Sequence, residues 1–336
     1  MLVVTACSSD PEVIASPSPS PSPSPSPSPS PSPVFGPISP LNGAVTVAET
    51  DLDHRAIGVK IDNHARARPQ AGLDQADVIV EILVEGGLTR FLALFHSRAP
   101  DGVGPIRSGR PTDSTIAAAL GAPLAISGAQ GWVQNLIVSH GVNLIGHTSS
   151  TMYRMPGRPA PHNLFTDISR LHANADSRGL PDDPPQTWLP FGPLVSGAEP
   201  ATSVSLTFGP TTAEWRWHSD GEWRRITDGQ THNAVNVDGD VERIVADTVL
   251  VLQMDTYTAS PSGSGSSVPA TDTTGSGPAW VFSDGKYATG TWSRAEITDP
   301  FELTTDDGQR LAVPPGRLWV ELFPSSRTLV IDEPTG

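Results

Sequence analysis

The chain has 336 residues, with 21 basic and 36 acidic side chains and a formal charge of −15. That balance argues against non-specific nucleic-acid binding, which needs a basic footprint to displace counterions. A single cysteine excludes an internal disulfide and a multi-cysteine zinc cage. No apolar run reaches the roughly 18 residues of a membrane-spanning helix.

The first element is an address. Val4-Thr5-Ala6 directly before Cys7 reads as a bacterial lipobox, where the cysteine sulfur receives a diacylglyceryl anchor. Only six residues precede Cys7, so residues 1–6 read as the remnant of a signal peptide whose charged and apolar regions lie upstream. Residues 7–36 read as the lipid-anchor cysteine and a disordered, Ser/Pro-rich linker. Its nine Ser-Pro dipeptides, Ser16 to Pro33, remove an amide donor at every second position, which leaves an extended rod of roughly 55 Å. The expected location is extracytoplasmic, on the outer face of a bacterial cell membrane, with the membrane itself a partner through lipidated Cys7.

Residues 37–178 mix helix and strand. Residues 56–62 form a short apolar strand ending at Asp62-Asn63-His64, and residues 77–96 read as a hairpin about Gly86-Gly87. That turn sets Ile82 opposite Phe91 and Val78 opposite Phe95, with Glu81, Glu85 and Arg90 on the other face. A helix is predicted from Pro111 to Leu120, a strand at 124–127, a helix at 132–139, and a further helix capped by Asp167. Residues 179–200 read as a connector. Residues 201–336 read as β-rich and antiparallel, with runs at 204–208, 214–217, 248–254, 287–292 and 318–323 and Asp-Gly turns at 220, 228 and 284. Residues 260–277 are Ser/Gly/Thr-rich and are expected to form a mobile loop. Residues 37–170 hold eleven acidic and eleven basic side chains, whereas 199–336 hold twenty and nine, so the net charge sits in the C-terminal part. Nineteen of the 21 basic residues are arginine, which directs any anion recognition toward guanidinium forks.

The string NHARARPQAGLDQADVIVEILVEGGLTRFLALF, then GPIRSGRP and APHNLFTD, then WVFSDGKYATGTW and PPGRLWVELFP, resembles the YerB-like bacterial lipoprotein family over roughly residues 37–325. The resemblance implies an α+β chain: an N-terminal mixed α/β layered sandwich followed by a β-rich C-terminal domain. The family has no assigned function, so it implies no reaction and no cofactor.

Polar residues of these motifs beside turns and strand ends are the candidates for a site. An anion-binding reading uses Arg68, Arg90, Arg107, Ser108 and Arg110, with Asn63, His64, His162 and Asn163 nearby; Arg107 and Arg110 flank a helix start, which itself favours negative charge. The expected partner is an anionic cell-wall polymer or an envelope protein. The bland alternative is that these arginines pair with Asp62, Glu81 and Glu85 and only fix the fold. A hydrolase reading takes Glu81 and Glu85 as a carboxylate pair with His64 or His162 as acid/base partner, although Arg90 beside them opposes a general acid. A metal site from Asp62, His64 and His162 lacks ligand spacing, so none is assigned. Ser283 to Lys286 spells S-x-x-K but sits on an Asp-Gly turn, and Ser127 lacks the glycines of a nucleophile elbow. A protein-interaction scaffold would instead expose several of Trp215, Trp217, Trp223, Trp280, Trp292 and Trp319. The reading preferred from sequence is anion binding without covalent chemistry.

Overall fold

The computed structural model describes residues 1–4, 36–236 and 238–334; Cys7 and the Ser-Pro repeat lie outside them. In chain order the N-terminal elements are β1 (Ile57–Asp62), β2 (Gln70–Ala71), β3 (Val78–Leu83), β4 (Thr89–Phe95), α1 (Pro111–Ala119), β5 (Leu124–Ala125), α2 (Gly131–Ser139), β6 (Leu144–Ile145) and α3 (Ile168–Ser177). Antiparallel β3, β4 and β1 continue into the short parallel strands β5 and β6. On the free side of β3 the sheet is extended by strand Leu318–Pro324, then Thr248–Met254, Gly275–Ser283, Lys286–Arg294 and Glu302–Thr304. The N-terminal and C-terminal segments therefore share one sheet. The C-terminal segment is mostly antiparallel, as expected, but Leu318–Pro324 runs parallel to both of its neighbours.

Both faces of this sheet are covered, which is why β3 and β4 read as nearly continuous apolar runs. Val78, Val80, Ile82, Leu92 and Leu94 meet Ile116 of α1 and Val133 and Ile137 of α2 on one face. On the other, Val59, Phe91, Phe95 and Trp319 pack against Val204, Leu206, Trp215 and Trp223 of a second sheet, built from Ser203–Thr207, Thr212–His218 and Glu222–Thr227. This is a layered α+β fold.

Four local expectations need correction. The β3–β4 register pairs Ile82 with Arg90, Glu81 with Phe91 and Val78 with Leu94, one residue away from the expected pairing. A tight turn on the two glycines is replaced by a 3-10 turn, Glu85–Gly87, with Gly86 at φ +70 and Gly87 at φ +72. Asp167 does precede α3, but its carboxylate accepts from Gly102 N, Tyr153 Oη and Arg170 Nε rather than from the helix amides. The expected loop at 260–277 is interrupted by strand: Val268–Thr271 pairs back on Thr256–Ala259, a further strand starts at Gly275, and Gln130 at the start of α2 holds Ser266 by both its amide and its carbonyl.

The two sheets are joined by a buried charge. Arg225 is fully buried, 2.5 Å from Glu81 and 3.0 Å from Glu321, with its guanidinium 4.4 Å from the centre of the Trp319 ring and 5.2 Å from that of Trp215. Glu81 and Glu321 are neighbours across the parallel seam. Burial and the adjacent Glu81 push the Glu321 carboxyl well above the usual range, so Glu321 holds a proton. Arg225→Met removes the cation from between them and is expected to cost about 3–5 kcal/mol in urea denaturation; a loss within experimental scatter would refute the role. The Glu321 proton supplies stability that is complete below the ordinary carboxylate range and is lost as pH rises through the elevated folded value. Glu321→Gln abolishes that titration, so the variant should gain on the parent as pH increases, as read from melting temperatures across the pH range.

Candidate functional site

Strand alternation decides which side chains meet at the end of β1. Lys60 and Asp62 point to the helix-covered face, where Arg90 lies opposite Asp62 on β4. Residues 105–107 run antiparallel along the other edge of β1. Ile106 bridges to Ile61 and the Arg107 amide donates to the Lys60 carbonyl, which brings the Arg107 side chain beside Asp62.

Asp62 is the hub. Its Oδ2 lies 2.7 Å from His162 Nδ1 and 3.1 Å from Arg107 Nε, and its Oδ1 accepts from the His64 amide at 3.0 Å. The Arg107 Nε–H is not aimed at the carboxylate, so that contact is a charge contact rather than an aligned hydrogen bond. His64 stacks on His162, with ring centroids 4.9 Å apart. Because Nδ1 of His162 faces a carboxylate, neutral His162 carries its proton there and leaves Nε2 as an acceptor without a protein partner among the described residues.

The cations around this hub are unequally paired. Arg110 grips Glu85 through two parallel bonds of 2.8 and 2.7 Å, and holds its carboxyl below the usual range against the opposing effect of burial. Lys60 and Asp113 form a fully buried pair at 2.5 Å. Burial pulls the Lys60 ammonium down to about 8 despite Asp113. Arg90 has no carboxylate partner among the described residues; one terminal nitrogen donates to the Ser108 carbonyl at 2.8 Å. Burial first, then the nearby Arg110 and Arg107, lower it to about 10, so it stays cationic at neutral pH. Four cations thus face three carboxylates. One positive charge is left over.

The rim repeats this excess. Arg66, Arg154 and Arg158 make no ion pair among the described residues. The Arg66 amide donates to His64, Arg154 holds Asn163 beside His162, and Arg158 donates to the carbonyls of Ala67 and Pro69. The helix start contributes less than expected, since Asp113 already accepts from the Arg110 amide at 2.7 Å.

Residues 41–181 match the N-terminal domain, and residues 204–320 the C-terminal domain, of a family described as a protein of unknown function, DUF3048. This chain belongs to that family. The Bacillus subtilis (strain 168) protein YerB, named as a candidate lipoprotein, is 25% identical over 298 residues, covering 85% of this chain and 86% of YerB. A crystal structure of the YerB protein from Bacillus subtilis matches with a TM-score of 0.75 at 23% identity, covering 88% of this chain and 99% of that one. The YerB-like resemblance and the α+β fold read from sequence are thereby borne out.

In this YerB-like fold, Asp62, His64, Arg90, Arg107, Ser108, Arg110 and His162 come together. Arg68 and Asn63 turn to the opposite face: Arg68 bonds Asn63 and pairs with Asp228, and Asn63 donates to Glu81 and Thr89. Glu81 is sealed in the Arg225 network and Glu85 is held by Arg110, so the structure does not set them as a carboxylate pair in a cleft. Trp215, Trp223, Trp292 and Trp319 are core residues and Trp217 and Trp280 are half-buried, so no exposed tryptophan row forms. A groove of about 590 Å³, lined in part by Asn42, Asp77, Arg98 and Arg317, shares no residue with the cluster. Sequence reading missed Lys60 and Asp113; the signal was Lys60 two places before Asp62 on one strand face. Lys60→Met strands the Asp113 charge and is expected to cost about 3–5 kcal/mol, measurable by chemical denaturation; the double variant Lys60→Met/Asp113→Leu should recover most of it.

Proposed function

We propose that this protein is a lipid-anchored component of the bacterial envelope, held at the outer face of the membrane through Cys7, whose folded part binds an anionic ligand at the Asp62–Arg107–His162 cluster. The observation that carries the reading is the unbalanced cation. Arg90 and the terminal nitrogens of Arg107 lack acidic partners among the described residues, in a chain whose overall charge is −15. A surplus of positive charge kept in a partly desolvated position is costly unless an anion completes it. Guanidinium groups suit carboxylate and phosphate oxygens alike, and envelope polymers and envelope proteins carry such groups. The lipobox-like Val4-Thr5-Ala6-Cys7, the stiff spacer after it and the name of the Bacillus relative support the anchoring.

The test is calorimetric titration of the full chain with inorganic phosphate and with anionic cell-wall fragments, at two salt concentrations. Arg107→Ala should weaken binding about tenfold or more, the scale of one charge-assisted contact, and added salt should weaken it for the parent as well. Unchanged affinity in Arg107→Ala removes the site assignment.

A further inference from the structure

We propose that this site is also catalytic, with Asp62 and His162 forming a general-base dyad that hydrolyses a phosphodiester. The inference rests on the anion-binding reading above and names its substrate class. Two observations carry it. First, the 2.7 Å contact between Asp62 Oδ2 and His162 Nδ1 fixes the imidazole tautomer and leaves Nε2 basic and without a protein partner among the described residues, while stacking against His64 holds the ring plane. Second, apart from the rim arginines, the inner cluster of four cations and three carboxylates carries a single surplus positive charge, with Arg90 from β4 and Arg107 from the opposite edge of β1 reaching Asp62 from its two sides. A phosphodiester carries one negative charge and is itself the reacting centre, whereas a carboxylate matches the charge but has no bond for a general base to help break.

The reaction balances without a further reactant. Water is the nucleophile. His162 Nε2 takes one of its protons as its oxygen forms a bond to phosphorus. The bond from phosphorus to the leaving oxygen, opposite the attacking water, then breaks; that oxygen takes a proton from solvent and His162 releases its own to solvent, giving a phosphomonoester and an alcohol. The Asp62 carboxylate offsets the imidazolium charge, while the guanidinium groups of Arg90 and Arg107 receive the charge that builds on the non-bridging oxygens. Glu85 and Asp113 stay with Arg110 and Lys60 throughout, so neither competes for the substrate position.

The full chain is assayed with bis-p-nitrophenyl phosphate and, in a parallel arm, with p-nitrophenyl phosphate, while binding of dimethyl phosphate is followed separately by calorimetry. The expected result is release of p-nitrophenolate from the diester in preference to the monoester. His162→Ala should lose about 100-fold or more in kcat while retaining dimethyl phosphate binding, with the parent's melting temperature as the control for folding. Added imidazole should restore part of the rate in that variant, which a purely structural histidine would not allow. Binding of dimethyl phosphate without turnover of the diester overturns the catalytic proposal and leaves anion binding standing. Absence of both overturns both. A rate unchanged in His162→Ala, or a preference for the monoester, refutes the dyad or the substrate class respectively.

Discussion

A guanidinium buried between two carboxylates is the constraint on which the rest of the structure depends. Parallel pairing of β3 with Leu318–Pro324 puts Glu81 beside Glu321 in the interior, and two like charges there would force the strands apart. Arg225, arriving from the second sheet, resolves the conflict together with one retained proton. The rings of Trp215, Trp319 and Phe91 surround its charge and exclude water. Because side chains alternate, a one-residue slip of either strand would carry a glutamate to the helix face, away from its cation. The network therefore specifies register as well as holding the two layers together.

The surface cluster inherits its geometry from that interior. Asp62 and Asn63 are consecutive and point to opposite faces. Asn63 donates to Glu81 and Thr89 and receives Arg68 and Gln70, which ties the end of β1 into the buried network. Asp62 is thereby held in position to receive His162 and Arg107 from two loops remote in sequence. Its partners arrive on backbone that is itself bonded to the sheet: the Arg107 amide to Lys60, and the Ile106 amide to the Leu164 carbonyl two residues beyond His162. The loops carry the chemistry while the strands set the distances.

Much of this was legible in the sequence, and the failures have physical reasons. The three helices and most C-terminal strands follow from periodicity and turn residues, whereas Arg90, Arg107, Arg110, His64 and His162 were legible only as polar motif residues beside turns and strand ends. The β3–β4 register did not, because both faces of that hairpin are buried and the apolar pattern is satisfied equally well after a one-residue shift. The same shift hid the fate of Glu81, which seemed to share a face with Arg90 and instead meets an arginine far along the chain. Arg68 was indistinguishable by type from Arg107. Only the placement of Asp228, on a turn of the other sheet, shows that it braces the fold. Pairings between distant segments leave no local pattern to read.

The position of strand Leu318–Pro324 also bears on how the molecule is made. It lies between β3 and Thr248–Met254 and contacts residues about 240 positions earlier in the chain, so the central sheet closes only after nearly all of the folded sequence has emerged. Until then β3 offers a bare hydrogen-bonding edge, and a product truncated upstream would keep that edge permanently open to a second copy of itself. Assembly is therefore tied to completion of synthesis, and any pause before residue 318 leaves the molecule with an unfinished layer.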